Sequence, residues 1–302
     1  MRPSEAREMP IWRSMLFVPV NVPKYVEKAH TRGADAVVLD LEDSIAPDDK
    51  EEARTMVAAA ASLCAKGGAD ILVRINRPIE LAVRDIETVV SPIVKGLKLP
   101  KIESASHVRL LAELVEAIER RRGMPLGQTM FLPAIETAAA FFRAEEIAAA
   151  HPRNVSLTLG AEDFTASIGA APDPEVMVYP KQHALIAARA AGLRAFGVVG
   201  SAANYRDRDA FREMIRKSRR FGFQGSTCIH PAIVPLLNEG FSPTPEEISD
   251  AERVVSGYHR AVAEKRGSFS IDGKMIDIPI VERAQELLGI ARRFAGRGRN
   301  HA

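Results

Sequence analysis

Short apolar runs alternate with helical segments along most of this 302-residue sequence. Eight of the runs have the length and composition of strands, and they are Met15–Val18, Ala36–Leu39, Ile71–Val73, Gly96–Leu99, Thr129–Leu132, Val155–Leu159, Ala195–Val199 and Ser226–Ile229. Continuous apolar runs are typical of parallel strands that are buried on both faces. Eight such strands alternating with helices predict a (β/α)8 TIM barrel over residues 14–240, in preference to a doubly wound sheet.

The segments between these runs carry apolar residues at helical spacing. The predicted helices include residues 22–32, 48–66, 86–94, 106–122, 137–150, 180–191 and 207–221. The stretch around Pro172 breaks the pattern and predicts a loop.

The end of the chain departs from the barrel pattern, and residues 241–302 are predicted to form a C-terminal extension. Thr244 and Glu247 have the spacing of a helix capping box. Residues 267–279 contain Asp272-Gly273, a strong hairpin signal. We expect this helical and hairpin segment to act as a lid over the mouth of the barrel.

The first 13 residues are polar and aperiodic, and they contain the only tryptophan, Trp12. Chain termini without regular patterning are usually poorly ordered unless another element holds them. We therefore expect a mobile arm, or one that packs on a neighbouring subunit.

Overall charge and composition exclude several classes of protein. A formal net charge of +2 is too small to indicate nucleic-acid binding. The two cysteines, Cys64 and Cys228, form no disulfide framework or metal-binding pattern, and we interpret both as reduced core thiols. Because the sequence contains neither an apolar run of about 18 residues nor a signal peptide, we expect a cytoplasmic enzyme without a membrane partner.

Polar residues follow the predicted strands at the end where barrel enzymes place their chemistry. In strand order they are Asn21, Lys24, Glu42, Asp43, Arg74, Lys101, Glu103, Glu136, Asp163 and His230. Acidic and basic side chains are therefore expected to face one pocket.

Glu136 and Asp163 follow successive strands, the fifth and the sixth. Because neighbouring strands lie about 4.8 Å apart, both carboxylates can reach one ion. Mg²⁺ prefers oxygen ligands and keeps some of its waters, so a 2-oxo or 2-hydroxy acid would complete its shell as a chelate. Mn²⁺ has similar preferences. Arg74 adds a planar positive group suited to a carboxylate or a developing oxyanion.

Each of these residues also has a purely structural interpretation. A single strand-end glutamate is commonly solvated or ion-paired, and only the combination of Glu136, Asp163 and Arg74 favours a metal site. Glu42 and Asp43 are interpreted as residues that support the site or form ion pairs with Lys101, rather than as direct ligands. His230, next to a proline, is interpreted as a hydrogen-bonded structural histidine.

The chain resembles the citrate lyase β-subunit-like acyl-CoA lyases, which are related to malyl-CoA lyases within the HpcH/HpaI aldolase superfamily. The matching motifs occur in family order between about residues 13 and 290. They are Arg13-Ser14-Met15-Leu16-Phe17-Val18-Pro19, Asp40-Leu41-Glu42-Asp43-Ser44, Val73-Arg74-Ile75-Asn76, Leu99-Pro100-Lys101, Ala134-Ile135-Glu136-Thr137, Leu159-Gly160-Ala161-Glu162-Asp163, Ile229-His230-Pro231 and Gly273-Lys274-Met275-Ile276-Asp277.

This resemblance implies roles for individual residues. It places Mg²⁺ on Glu136 and Asp163 and a 2-oxo acid on Arg74. It implies that Asp277 closes over a neighbouring subunit's site as a general acid/base, in a homotrimer or hexamer. The remaining assignments are substrate binding for Gly160, Ala161 and Glu162, and coenzyme A binding for Phe17 and Lys24.

The sequence also departs from the family pattern. Val20 replaces a glycine that usually follows Phe-Val-Pro, and Lys24 stands where arginine is common. Residues 195–200 lack the aspartate and tyrosine that relatives often carry there, which could indicate a different acyl group.

The resulting hypothesis is a Mg²⁺-dependent carbon–carbon lyase. Its substrate would be a 3-hydroxy-3-carboxyacyl-CoA such as malyl-, citramalyl- or citryl-CoA, which it would cleave into, or form from, an acyl-CoA and a 2-oxo acid. Three alternatives remain open at this point: a malyl-CoA-type thioester hydrolase, a 2-oxo acid aldolase that does not use CoA, and a lyase subunit that works only within a complex.

Overall fold

The computed structural model describes residues 9–203, 205–264 and 269–299. The chain divides into two compact units, with the division between Phe241 and Ser242. None of the helices in these described ranges has the length and apolar content needed to cross a membrane.

The described part of the first unit contains eight parallel strands, close to the predicted runs. They are β1 (Ser14–Pro19), β2 (Ala36–Asp40), β3 (Asp70–Arg74), β4 (Val94–Leu99), β5 (Met130–Ile135), β6 (Ser156–Leu159), β7 (Arg194–Ala195) and β8 (Ser226–Cys228). In the sheet their order is β7-β6-β5-β4-β3-β2-β1-β8.

The two edges of this curled sheet are joined by backbone hydrogen bonds beside β7 and β8. Gly197 N donates to the carbonyl oxygen of Gly225 at 2.8 Å, and Gln224 N donates to that of Ala195 at 2.9 Å. The strands thus curl into a TIM-barrel-like (β/α)8 fold, which confirms the fold class predicted from the alternating pattern.

The described part of this unit contains ten α-helices, nine of which connect strands, while the tenth follows β8. They are α1 (Pro23–Ala29), α2 (Lys50–Cys64), α3 (Ile79–Val89), α4 (Ala105–Arg121), α5 (Ala138–Phe141), α6 (Ala144–Ala148), α7 (Ala161–Ser167), α8 (Pro174–Ala190), α9 (Arg208–Phe221) and α10 (Val234–Gly240). Both cysteines are buried and free, as predicted.

Side chains alternate between two separate hydrophobic cores. On β2, Ala36 and Val38 belong to a small cluster inside the barrel, whereas Val37 and Leu39 belong to the large cluster between strands and helices. This alternation is the two-residue period of a strand. The next inward position on β2 is Asp40, so the inner face changes from apolar to charged towards the carboxyl end of the strand.

Trp12 fills the inner core at the amino end of the strands. Its side chain is fully buried, its indole N–H donates to Asp70 Oδ2 at 2.7 Å, and its ring centroid lies 6.0 Å from that of Phe196. The expectation of a mobile or externally packed arm is therefore wrong for residues 9–13. Residues 1–8 lie outside the described part of the chain.

Several helix boundaries differ from the prediction. Helix α3 begins directly after Pro78 rather than at Ile86, and it ends at Val89 because the next residue is extended. The segment predicted as one helix over 137–150 is split into α5 and α6 around Phe142.

Helix α8 begins at Pro174, before the predicted start at Pro180. The Asp173 side chain caps this end by accepting from Glu175 N at 2.7 Å, and Pro174 occupies the first turn. Proline fits the first helical turn, and the capping aspartate before Pro174 explains why the helix starts there rather than at Pro180.

The second unit contains helix α11 (Pro245–Ala263), strands β9 (Phe269–Ile271) and β10 (Lys274–Ile276), and helix α12 (Ile278–Arg299). The predicted capping box of Thr244 and Glu247 is present in both directions. Asp272 and Gly273 both have positive φ, 49° and 76°, as a tight hairpin turn requires. Residues 267 and 268 of the predicted hairpin segment lie outside the described residues. The lid role stays a prediction.

Candidate active site

Most of the predicted site residues converge at the carboxyl ends of β2 to β6. They surround a cavity of about 300 Å³, whose lining includes Phe17, Asp43, Arg74, Glu136, Gly160, Ala161, Glu162 and Asp163. Glu42 and Lys101 lie beside it. Glu42 forms an ion pair with Arg74, and the backbone N–H of Lys101 donates to Glu136. Lys24 lines a different groove, and Asp277 belongs to the second unit.

Arg74 is held by a carboxylate that the sequence analysis did not single out. Arg74 Nε and Nη2 each donate to one oxygen of Asp40, both at 2.6 Å. Burial alone would raise the pKa of Asp40, but the hydrogen bond and charge of Arg74 outweigh it and lower that pKa. This two-point contact fixes the plane of the guanidinium, which also lies 4.8 Å from the centroid of the Phe17 ring.

The remaining guanidinium nitrogen of Arg74 contacts the loop after β2. Arg74 Nη1 lies 2.8 Å from Glu42 Oε2 and 3.0 Å from Asp43 Oδ2. Lys101 Nζ donates to Glu42 Oε1 at 3.0 Å and lies 3.7 Å from oxygens of Asp43 and Asp163. The ion pairs expected between this acidic loop and Lys101 are thus present, and they extend to Arg74.

Of the two predicted metal ligands, Glu136 is more deeply buried than Asp163. It is 8% exposed, and its Oε2 accepts from the backbone N–H of Lys101 at 3.0 Å. Burial, and next the charge of Glu42, raise the pKa of Glu136 to about 7 against the opposing attraction of Lys98. Lys101, which donates this hydrogen bond, has φ of 47°, a strained conformation for a non-glycine residue.

Asp163 lies in the first turn of α7, a helix that the sequence analysis did not predict. Gly160 precedes this helix as its N-cap, and a Cβ at Gly160 would lie only 2.8 Å from Glu136 Cγ. The absence of a side chain at Gly160 therefore lets α7 approach Glu136. Ala161, Glu162 and Asp163 also contribute the N–H groups of a helix start, which favour anionic ligands.

Two lysines and a serine at this cavity were missed by the sequence analysis. Lys98 and Lys181 are both buried and line it, and Ser201 donates to Glu162 Oε1 at 2.6 Å. Lys98 lies inside β4, between Leu97 and Leu99 of the outer core, so it faces the barrel interior. In the sequence, Lys98 is a charged residue within an otherwise apolar strand, and this contrast could have identified it as a site residue.

A second groove, of about 170 Å³, adjoins the first at Phe17 and Ile229. Its lining includes the basic residues Lys24, Lys28 and Arg32, which follow one another at four-residue intervals. Of the residues assigned to coenzyme A, Phe17 lines both cavities and Lys24 lines only this groove.

His230 has the structural role expected for it. Its Nδ1 accepts from Ala232 N at 3.2 Å, and its ring stacks on Tyr205 at a centroid distance of 4.8 Å. Another strand-end residue, Glu103, lies near the surface in an ion pair with Arg77 at 2.8 Å.

The donor set suits a small divalent cation. Across the described ranges, no group of three or more His, Cys, Asp or Glu residues has the arrangement of a metal site. Glu136 and Asp163 both line the cavity as candidate ligands, and Mg²⁺ commonly uses one or two carboxylates together with water and substrate oxygens. Burial, and next the charge of Glu42, raise the pKa of Glu136, and a cation bound beside this carboxylate would favour its ionised form.

Comparisons with known proteins agree with this architecture. The sequence profile of the HpcH/HpaI aldolase/citrate lyase family matches residues 13–231. The citrate lyase subunit beta of Leuconostoc mesenteroides subsp. cremoris is 34% identical over 282 residues, which cover 92% of this chain and 93% of that protein. The mitochondrial citramalyl-CoA lyase of Mus musculus is 34% identical over 294 residues, covering 92% and 86%.

A solved structure is similar over nearly the whole chain. The crystal structure of the protein CitE from Mycobacterium tuberculosis, in complex with magnesium, acetoacetate and coenzyme A, superposes with a TM-score of 0.72 at 29% identity. The similarity covers 94% of this chain and 99% of that one.

Proposed function

Because this chain belongs to the HpcH/HpaI aldolase/citrate lyase family and is a lyase of that family, we propose that it acts on CoA esters as a Mg²⁺-dependent carbon–carbon lyase. The proposed substrate is a 3-hydroxy-3-carboxyacyl-CoA, as in malyl-, citramalyl- or citryl-CoA. Cleavage would yield an acyl-CoA and a 2-oxo acid, and the reverse direction would condense them.

The observation that carries this proposal is the grouping of Glu136, Asp163 and Arg74 around one cavity at the carboxyl ends of the strands. In this proposal Glu136 and Asp163 hold Mg²⁺. When bound there, the cation supplies Lewis-acid polarisation of the 2-oxo acid oxygen. Mn²⁺ is expected to substitute for it.

Arg74 would bind the other side of the 2-oxo acid group. Its guanidinium is kept in one plane by Asp40, so a negative charge that develops on the substrate oxygen meets an oriented donor. Glu42 and Lys101 link this arginine to the acidic pair, and they would keep Arg74 and Glu136 at a fixed separation. Gly160 and the first turn of α7 would contact the substrate carboxylate.

The groove beside Phe17 would bind the coenzyme A portion. Lys24, Lys28 and Arg32 give it positive charge suited to phosphate groups, and the groove opens next to the main cavity. A thioester held there would present its acyl carbon towards Glu136 and Asp163.

Asp277 is proposed as the acid/base of the reaction. Breaking the carbon–carbon bond requires a base that accepts the substrate hydroxyl proton, and it leaves a thioester enolate that must gain a proton at carbon. Asp277 would deliver this proton from a neighbouring subunit in a homotrimer or hexamer. A general acid of this kind contributes about 10²- to 10⁴-fold to the rate.

The test is cleavage of malyl-, citramalyl- and citryl-CoA by the purified protein with and without Mg²⁺. Glu136→Gln and Asp163→Asn should reduce kcat/KM by orders of magnitude and weaken Mg²⁺ binding in calorimetry. Unchanged turnover and Mg²⁺ affinity in either variant would contradict the metal assignment.

Glu103→Gln is the matched control for these variants. Glu103 is also a strand-end glutamate, but it is paired with Arg77 near the surface and does not line the cavity. Its replacement should leave kcat/KM and the Mg²⁺ affinity unchanged, so a similar loss in all three variants would indicate a general effect on folding. Release of free CoA and a hydroxy acid would instead indicate thioester hydrolysis.

A further inference from the structure

Two lysine side chains are buried at the cavity that contains Glu136 and Asp163. Lys98 on β4 is 8% exposed and Lys181 on α8 is 6% exposed. Lys98 Nζ donates to Thr158 Oγ1 at 3.3 Å, and Lys181 Nζ donates to the carbonyl oxygen of Leu159 at 2.9 Å. The two ammonium groups are therefore anchored on consecutive residues of β6.

Both ammonium groups retain unused capacity to bind an anion. An ammonium group has three N–H donors, and within the described ranges each of these two ammonium groups makes one hydrogen bond and no ion pair. Burial lowers the pKa of each to about 8, so both carry positive charge at pH 7. Buried charges without partners are strongly unfavourable, and two like charges at one site increase that cost.

The charges of neighbouring residues do not offset the cost of burying these two ammonium groups. Lys98 is attracted chiefly by Glu136 and more weakly by Glu42 and Asp40, and it is repelled by Arg74. Lys181 is repelled by Lys98 and attracted by Glu162, whose carboxylate already accepts from Ser201. If Glu136 is committed to a cation, the attraction that it exerts on Lys98 is offset.

Lys98, Lys181 and Gly197 all line the same cavity. Gly197 has no side chain, and a Cβ built there would lie 3.9 Å from Lys181 Nζ and 3.3 Å from the ring of Phe223. The basic groove beside Phe17 has its own positive residues and does not include Lys98 or Lys181. An anion near these lysines would therefore belong to the portion of the substrate that lies near Glu136, rather than to the CoA portion.

We propose that Lys98 and Lys181 bind a second, distal carboxylate on the 2-oxo acid half of the substrate. The enzyme would accordingly prefer 2-oxo dicarboxylic acids to 2-oxo monocarboxylic acids. This inference rests on the proposed function, because it assumes that a 2-oxo acid binds beside Glu136 and Asp163. It adds the chemical class of that acid and the residues that select it.

Calorimetric binding in the presence of Mg²⁺ tests the proposal, with oxaloacetate and 2-oxoglutarate compared with pyruvate and 2-oxobutyrate. The wild-type protein should bind at least one dicarboxylic acid about 10- to 100-fold more tightly than its monocarboxylic counterpart, as expected for charge-assisted hydrogen bonds. Lys98→Met and Lys181→Met should each remove most of this preference, measured within each variant as the ratio of dicarboxylic to monocarboxylic acid affinity.

Lys95→Met is the matched control, because Lys95 lies on the same strand as Lys98 but is exposed. It should keep the preference. Both buried-site variants should also unfold at a higher temperature than the wild type, since each removes a buried unpaired charge and keeps an unbranched side chain. That result shows that loss of the preference does not come from misfolding.

The outcomes separate this inference from the proposed function. Equal binding of both classes by the wild type, or a preference that survives in both methionine variants, would overturn the lysine assignment alone. If no 2-oxo acid binds in the presence of Mg²⁺, the proposed function fails and this inference fails with it.

Discussion

Replacing Gly160 by alanine should impair the site without disturbing the fold. The backbone of Gly160, with φ of −72° and ψ of 123°, is readily adopted by alanine. Its new Cβ would lie 2.8 Å from Glu136 Cγ and 3.1 Å from Glu136 Oε1. Ordinary contacts begin near 3.4 Å, so the Glu136 side chain must retreat by about 0.6 Å.

The expected magnitude follows from that displacement. Because Cγ is close to the backbone, the shift cannot be absorbed by the end of a flexible side chain. A misplacement of about 1 Å in an active site costs roughly 100-fold in rate, and disturbing the support of a metal ligand costs about 10- to 100-fold in metal affinity. We expect losses of this order in kcat/KM and in Mg²⁺ affinity.

The assay combines Mg²⁺ titration by calorimetry with steady-state cleavage of the CoA esters. Gly289→Ala provides the control, because a Cβ at Gly289 in α12 meets no atom within 4 Å. That variant should retain activity and gain a little stability from the better helix former. If Gly160→Ala kept the wild-type Mg²⁺ affinity and kcat/KM, the packing of Gly160 against Glu136 would not support a metal ligand.

Three further perturbations test other parts of the structure. Arg74→Lys keeps a positive charge but loses the two-point contact with Asp40. In steady-state kinetics kcat/KM should therefore fall roughly 100-fold. A wild-type kcat/KM would contradict the role of the oriented guanidinium. Lys181 has a pKa lowered by burial to about 8, so its folded form releases its proton before the unfolded form does, and the stability cost of burying this lysine should diminish as the pH rises above 8. In urea unfolding, Lys181→Met should be more stable than the wild type by up to about 3 kcal/mol below pH 8. This difference should shrink towards about pH 10.5, and a difference that does not change with pH would contradict the prediction. Glu119→Gln removes the carboxylate that is paired with buried Arg153 at 2.6 Å. It should lower the free energy of unfolding, measured in urea, by about 3–5 kcal/mol. A loss below about 1 kcal/mol would show that the pair is not needed for stability.

The sequence predicted the barrel and the main acidic residues because both depend on strand periodicity. A strand that is apolar throughout must be buried on both faces, and the residue after it must reach the same end of the barrel as its neighbours. Glu136 and Asp163 satisfy that rule, and Arg74 satisfies it on β3. Their convergence on one cavity therefore required no knowledge of side-chain packing.

Other parts of the site depend on long-range contacts that periodicity does not encode. Lys98 lies within a strand rather than after one, and Lys181 reaches β6 from a helix. Asp40 stands in a recognised motif, but its contact with Arg74 depends on the register of β2 against β3. Trp12 was expected in a mobile arm because its partners, Asp70 and Phe196, are distant in the sequence.

The central claim, that this chain is a Mg²⁺-dependent carbon–carbon lyase, is tested most directly by identifying the products of a single reaction. The purified protein should convert a 3-hydroxy-3-carboxyacyl-CoA into equal amounts of an acyl-CoA and a 2-oxo acid, as measured by mass spectrometry. This conversion should require Mg²⁺ and should be lost in Glu136→Gln. Formation of free CoA with an intact hydroxy acid, or equal conversion without a divalent cation, would contradict the account.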